Sequence, residues 1–180
     1  MTLKRTYFDC WIRFFGRDRH LLWYSSDESK DGVWVDSEER IPWFDDSRQL
    51  AEAAGKLGFE VEDETPQLLN LDAVSDWVAA PVSESVNCRD FLGAWNFCVD
   101  VANSLGSAEA AHFRQTEFHA NNLYNKLFCG NNLLVKRGDA RRYTPSWQRS
   151  ELTELANILR LGLAIVESHL DLSGETASAT

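Results

Sequence analysis

Basic residues are scarce in this chain relative to acidic ones: 18 Lys and Arg stand against 28 Asp and Glu, for a net charge of −10 and a pI near 4.8. Such a balance argues against nucleic-acid binding through phosphate contacts, and against binding to anionic membrane surfaces. No apolar run approaches the length of a membrane span. Phosphate-binding glycine loops are missing in both common forms, G-x-x-x-x-G-K and G-x-G-x-x-G, and so is the G-x-S-x-G of a hydrolase nucleophile elbow. The cysteines, Cys10, Cys88, Cys98 and Cys129, form no C-x-x-C pair. With no secretory leader evident in the first residues, they read as free thiols of a reduced, cytoplasmic protein. No internal repeat is present, and neither a metal nor a cofactor is expected.

What the chain does contain is enough apolar material for a core. Hydrophobic residues make up 44% of its 180 positions and aromatics 12%, with seven tryptophans. This fits one folded domain over residues 1–172. The tail, 173–180, is low in complexity and is expected to be disordered.

The stretch from Asn87 to Leu105 organises the rest. Cys88, Phe91, Leu92, Trp95, Cys98, Val99, Ala102 and Leu105 recur at steps of three and four, which places them on one helical face. Phe97 and Val101 lie off that face, so the helix is apolar around more than half its girth and belongs inside the domain. Asn87 suits the N-cap, and Asp90 suits the positive end of the dipole. Asn96 and Asp100, four apart, are expected to be buried within this helix and in mutual reach, as hydrogen-bonded struts or as a catalytic pair.

Before the helix, period-two alternation over Thr6–Phe15 predicts a strand, followed by a polar turn from Gly16 to His20. Leu21–Ser25 and Val33–Val35 read as further strands of an antiparallel meander, with Phe59–Glu62 as a possible return to the sheet. Short helices are predicted after Asp46 or Ser47 and after Asn70 or Asp72. After the central helix, helices follow from Ser107 and over Asn121–Cys129, then a short strand at Leu133–Val135. A long last helix runs from Gln148 to about Leu170. The expected class is α+β: an N-terminal antiparallel sheet packed against a helical C-terminal half with a buried central helix.

The strongest functional signal is where the charge sits. Between Asp27 and Glu64, thirteen acids face four bases, a local net of −9, while the residues before and after carry +3 and −4. A run like this is either a solvated face or a surface that attracts a basic partner. On the second reading the contact residues are Trp34, Asp36, Glu38, Glu39, Trp43, Asp45, Asp46, Glu60, Glu62, Asp63 and Glu64. Aromatics ringed by charge have the composition of a binding hot spot. One enzymatic alternative remains: His112 and His119, seven apart with Glu109 and Glu117 nearby, as the acid–base groups of a small hydrolase.

Several clusters, taken in order, carry a family resemblance. They are Ile41-Pro42-Trp43-Phe44 ahead of a short helix, Leu71-Asp72 ahead of Trp77, and Ala94-Trp95-Asn96-Phe97 with Asp100. Then come Tyr124-x-x-Leu127-Phe128-x-Gly130-Asn131-Asn132-Leu133, and Pro145-x-Trp147 leading to Ile158-Leu159-x-x-Gly162-Leu163. From Tyr7 to Leu170 the chain resembles the small acidic immunity proteins of bacterial contact-dependent growth inhibition and related polymorphic toxin systems. The resemblance implies a cytoplasmic protein that is not an enzyme, binding and blocking one cognate toxin domain, often a nuclease. The shared residues look like scaffold; toxin-contacting positions vary in such families and none is carried over. A non-toxin adaptor is the remaining alternative.

Overall fold

The computed structural model describes residues 4–132 and 142–171, and they form an α+β fold. The predicted strand at Leu133–Val135 and the tail at 173–180 lie outside the described residues.

The described chain begins with a hairpin. Strand β1 (Arg5–Phe14) and strand β2 (Arg17–Ser26) pair antiparallel along their whole length. The turn between them is only Phe15-Gly16, so the polar turn expected over Gly16–His20 is instead the start of β2. Both turn residues have positive φ, 52° and 66°, as a two-residue turn matched to strand twist requires. Strand β3 (Gly32–Val33) extends the antiparallel part, and strand β4 (Leu69–Asn70) joins the other side of β1 in parallel. The sheet is therefore mixed, in the order β3-β2-β1-β4.

Period-two alternation gives this sheet two apolar faces. Ile12, Phe14, Leu21 and Val33 enter the main core. Leu22 points the other way and, with Tyr7, Trp34, Phe59 and Val61 at its margin, packs on Phe44, Leu50 and Ala54. The last two belong to helix α1 (Ser47–Lys56), which Asp46 caps by accepting from the Gln49 N–H at 2.8 Å. On the core side lie helix α2 (Leu71–Ala79) and the central helix α3 (Cys88–Asn103). Helices α4 (Ala108–His119), α5 (Asn121–Gly130) and α6 (Arg149–His169) pack against α3 from its remaining sides. The result is three layers, with the sheet in the middle.

Helix α3 buries Phe91, Leu92, Ala94, Trp95, Phe97, Cys98, Val101 and Ala102, the broad apolar surface that its sequence demands. Its approach to α6 is close: a Cβ on Gly162 would stand 2.6 Å from the Cys98 Cβ, so only glycine fits there. The end of α6 is pinned to the sheet side of the molecule, where the Ile41 N–H donates to the His169 carbonyl at 2.7 Å. Beside it Trp43 is buried, its indole N–H donating to the Asp171 carbonyl and Arg17 lying 4.1 Å over its ring.

Candidate functional site

Asn96 is exposed, contrary to its expected burial, and Asp100 is only half-buried. The two do not bond each other. They belong to a polar stripe on α3 that also includes Arg89, Gly93 and Asn103, spaced by three and four. This stripe is the floor of a trough in which three hollows share Asn96. One, of about 250 Å³, lies between α3 and the sheet and is lined by Asp9, Cys10, Trp23, Gln67, Leu69, Gly93, Phe97 and Asp100. A second, of about 360 Å³, lies toward α4 and α5 and is lined by Trp95, Val99, Glu117, Phe118, Asn121 and Tyr124. Phe118 stands 74% exposed on its rim. The third extends past Gly93 to Arg89, Asp90 and Asn131.

The sheet-side wall exists because β1 is left unpaired partway along its outer edge. Tyr7 bridges Val61 and Ile12 pairs with Leu69, but the residues between take no strand on that side. Leu22, the partner of Asp9 on β2, sends its carbonyl the opposite way, to the Trp34 N–H at 2.7 Å. Asp9 is thus in a non-hydrogen-bonded pair, and its backbone N–H and C=O point out at the gap. The segment that spans the gap supplies Glu64, Thr65, Pro66 and Gln67 to a further hollow of about 490 Å³ with Phe8, Asp9 and Trp23.

Electrostatics separate the groups in the trough. The Asp100 carboxylate accepts from the Trp23 indole N–H at 2.9 Å. Burial pushes its carboxyl up to about 6, with the Asp31 charge adding to the rise and the indole bond opposing it. Cys10 and Cys98 are pushed up to about 12, chiefly by burial and further by neighbouring carboxylates, so neither is a nucleophile near neutral pH.

On the opposite face of the sheet the Asp9 side chain, 5% exposed, sets both oxygens 2.9 Å from Nδ1 of His20. The Ser47 hydroxyl lies 3.5 Å from the same nitrogen. A catalytic triad needs serine and carboxylate on different imidazole nitrogens, so this cluster is a hydrogen-bonded strut for the sheet and lacks the geometry of a hydrolase triad. The alternative set on α4 does not converge. His112 and His119 are exposed, whereas Glu117 turns toward α3 and accepts from the Trp95 indole at 3.4 Å. Among the described residues no group of three or more His, Cys, Asp and Glu is placed to hold a metal.

The acidic residues singled out in the sequence divide by duty. Trp43 is 2% exposed and is withdrawn as a contact, because a buried indole with a backbone acceptor is scaffold. Trp34 is half-buried against the α1 cluster. Asp46 caps α1, and Asp45 pairs with Arg17 at 2.8 Å. Asp36 accepts from the backbone of Glu38 and Arg40, and Glu39 reaches the Gly106 N–H at 3.0 Å. Glu38 lies 3.5 Å from Arg40. Only Glu60, Glu62, Asp63 and Glu64 are exposed with no ion pair among the described residues. Glu62, Asp63 and Glu64 lie on the segment that spans the β1 gap, and Glu60 just precedes it. The structure thus moves the candidate surface toward the trough, where Trp23, Gln67, Asn96, Asp100 and Phe118 join it.

No family model and no curated protein matches the chain. Among solved structures it is similar to the C-terminal domain of SatS, from a crystal structure in complex with bromine. The likeness has a TM-score of 0.51 at 13% identity and covers 91% of this chain and 92% of that one. Similarity of this order shows a shared fold. No helix among the described residues is long and apolar enough to cross a membrane.

Proposed function

We propose that this chain is an immunity protein: a stoichiometric, non-enzymatic inhibitor that binds a cognate bacterial toxin domain of nuclease type and neutralises it by covering its active site. It does so in the cytoplasm of the producing cell, with no cofactor and no direct contact to nucleic acid or membrane. The observation that carries the reading is the row of carboxylates at Glu60, Glu62, Asp63 and Glu64, without ion pairs among the described residues, beside a concave, aromatic-lined trough. A nuclease presents basic residues to bind phosphates. Carboxylates opposite those residues steer encounter, and aromatics at the contact centre hold the complex.

Co-expression with a candidate cognate toxin domain tests the reading. The expected result is restored growth, an equimolar complex and nuclease activity that titrates to zero at one equivalent. A complex that leaves the nuclease active would favour an adaptor, and unrelieved toxicity without a complex would remove the proposal.

A further inference from the structure

Asp100 is unusual among the carboxylates of this molecule. It lies half-buried at the floor of the hollow between α3 and the sheet, and its one described partner is a neutral donor, the Trp23 indole, on Oδ2. Among the described residues no lysine or arginine lines that hollow or the two that flank it at Phe8 and at Phe118. Arg89, the nearest base in the trough, is held at 2.7 Å by Gln67. An ionised carboxylate that is partly desolvated and has no cation beside it is a cost to the fold. Its neighbours offer the features a cation would use. Trp23 and Phe8 are in ring contact at 5.4 Å, the Asn96 side chain is exposed one helical turn away, and the Asp9 backbone carbonyl faces the gap. Aromatic surface, amide oxygens and one carboxylate suit a planar group with several N–H donors better than they suit a compact ammonium.

We infer that the hollow over Asp100 is the seat for a single arginine side chain of the partner protein, its guanidinium on the Asp100 carboxylate and its plane against the Trp23–Phe8 aromatics. The assignment of the arginine to a partner rests on the binding function proposed above, whereas the seat itself does not. In this arrangement the exposed row from Glu60 to Glu64 draws the basic partner in, and Asp100 fixes where it stops. Attraction and registration are then two jobs done by different carboxylates.

The test uses the isolated, isotope-labelled protein and N-acetyl-arginine methylamide, with the lysine analogue and sodium chloride as controls. The Trp23 indole N–H resonance reports the seat directly, since that proton is bonded to Asp100. The expected result is a saturable shift of the Trp23 indole and of the Gly93 and Asn96 amides with the arginine compound, weaker with the lysine compound and absent with salt. In Asp100→Asn, which keeps an acceptor for the indole, the saturable shift is lost while the rest of the spectrum is retained. Glu62→Gln/Glu64→Gln retains it. An indole that does not shift, or that shifts equally in Asp100→Asn, overturns the seat. If the seat is present but the toxin is not neutralised, the fault lies with the immunity reading instead.

Discussion

Asp72 and Gly16 are joined across 56 residues of sequence: one oxygen of the Asp72 carboxylate accepts from the Gly16 N–H at 2.8 Å, and the other accepts from Phe15 at 2.6 Å. The first turn of α2 thereby holds the tip of the β1–β2 hairpin and sets the sheet's angle against the helical layer. Replacing Asp72 by alanine leaves two turn donors without their charged acceptor. The expected loss is about 1–3 kcal/mol, read as a lower urea midpoint at unchanged slope. An unaltered midpoint would mean that water serves the turn equally well.

Trp95 is 1% exposed, edge-on to Tyr124 at 5.8 Å, at the centre of the core that α3 builds. Trp95→Ala should cost about 3–5 kcal/mol. Chemical denaturation checks it, and a loss below 1 kcal/mol, roughly the size of a surface change, would show that α3 does not carry the core.

Ionised Asp100 opposes folding. Its folded carboxyl stands at about 6 against an ordinary 3.8, so the native state holds the proton more tightly than the unfolded chain does. The stability from this group is fully present below about pH 4 and is lost as pH rises through 6. A shift of that size corresponds to roughly 3 kcal/mol, which partial solvent exposure reduces to about 1–2 kcal/mol. Asp100→Asn should therefore be more stable than the parent by that amount at pH 7.5 and nearly equal to it at pH 4. Paired denaturation curves at the two pH values decide; a variant less stable at pH 7.5 contradicts the burial argument.

For the proposed toxin complex, Glu62→Lys/Glu64→Lys should slow association several-fold at low salt, with little change in dissociation. The difference should shrink at higher salt, where a Debye length of about 10 Å at 0.1 M shortens further. Reversal at Asp45 and Asp46 is a poor substitute, because Asp46 caps α1 and Asp45 pairs with Arg17. Binding kinetics at two ionic strengths provide the measurement, and equal on-rates for parent and variant would leave the strip as a solubilising surface.

The elements that could be read from the sequence are those whose order is local. Caps at Asn87 and Ser107 and the apolar period of α3 depend on residues a few positions apart and lie where expected, and Asp46 and Asn70 are each one of the two residues that the sequence offers for their helices. The hairpin turn lies earlier than its sequence suggests, because Arg17 and Arg19 look like loop residues. Arg19 in fact buries its guanidinium, donating to the Phe14 and Arg17 carbonyls. The apolar flanks of α3 point Asn96 to the interior, against the narrow polar stripe through Gly93, Asn96 and Asp100. That stripe was the legible sign of a solvent-facing groove. The pairing of Trp23 with Asp100, 77 residues apart, has no local signature at all.

The gap in β1 comes down to a surplus of chain. Eight residue steps separate Val61 from Leu69, while only five separate their strand partners Tyr7 and Ile12. Two parallel strands in register would use equal lengths, so three residues' worth of backbone must arch away from the sheet. This arch props the hollow open, much as an overlong strap stands off a buckle. Removing three residues between Asp63 and Gln67 would let the strap lie flat, complete the ladder beside Asp9 and erase the cavity while adding hydrogen bonds. The tightened protein would be the more stable one and the one with nowhere to seat a guest. On this account the slack is a length that selection for stability alone would have trimmed.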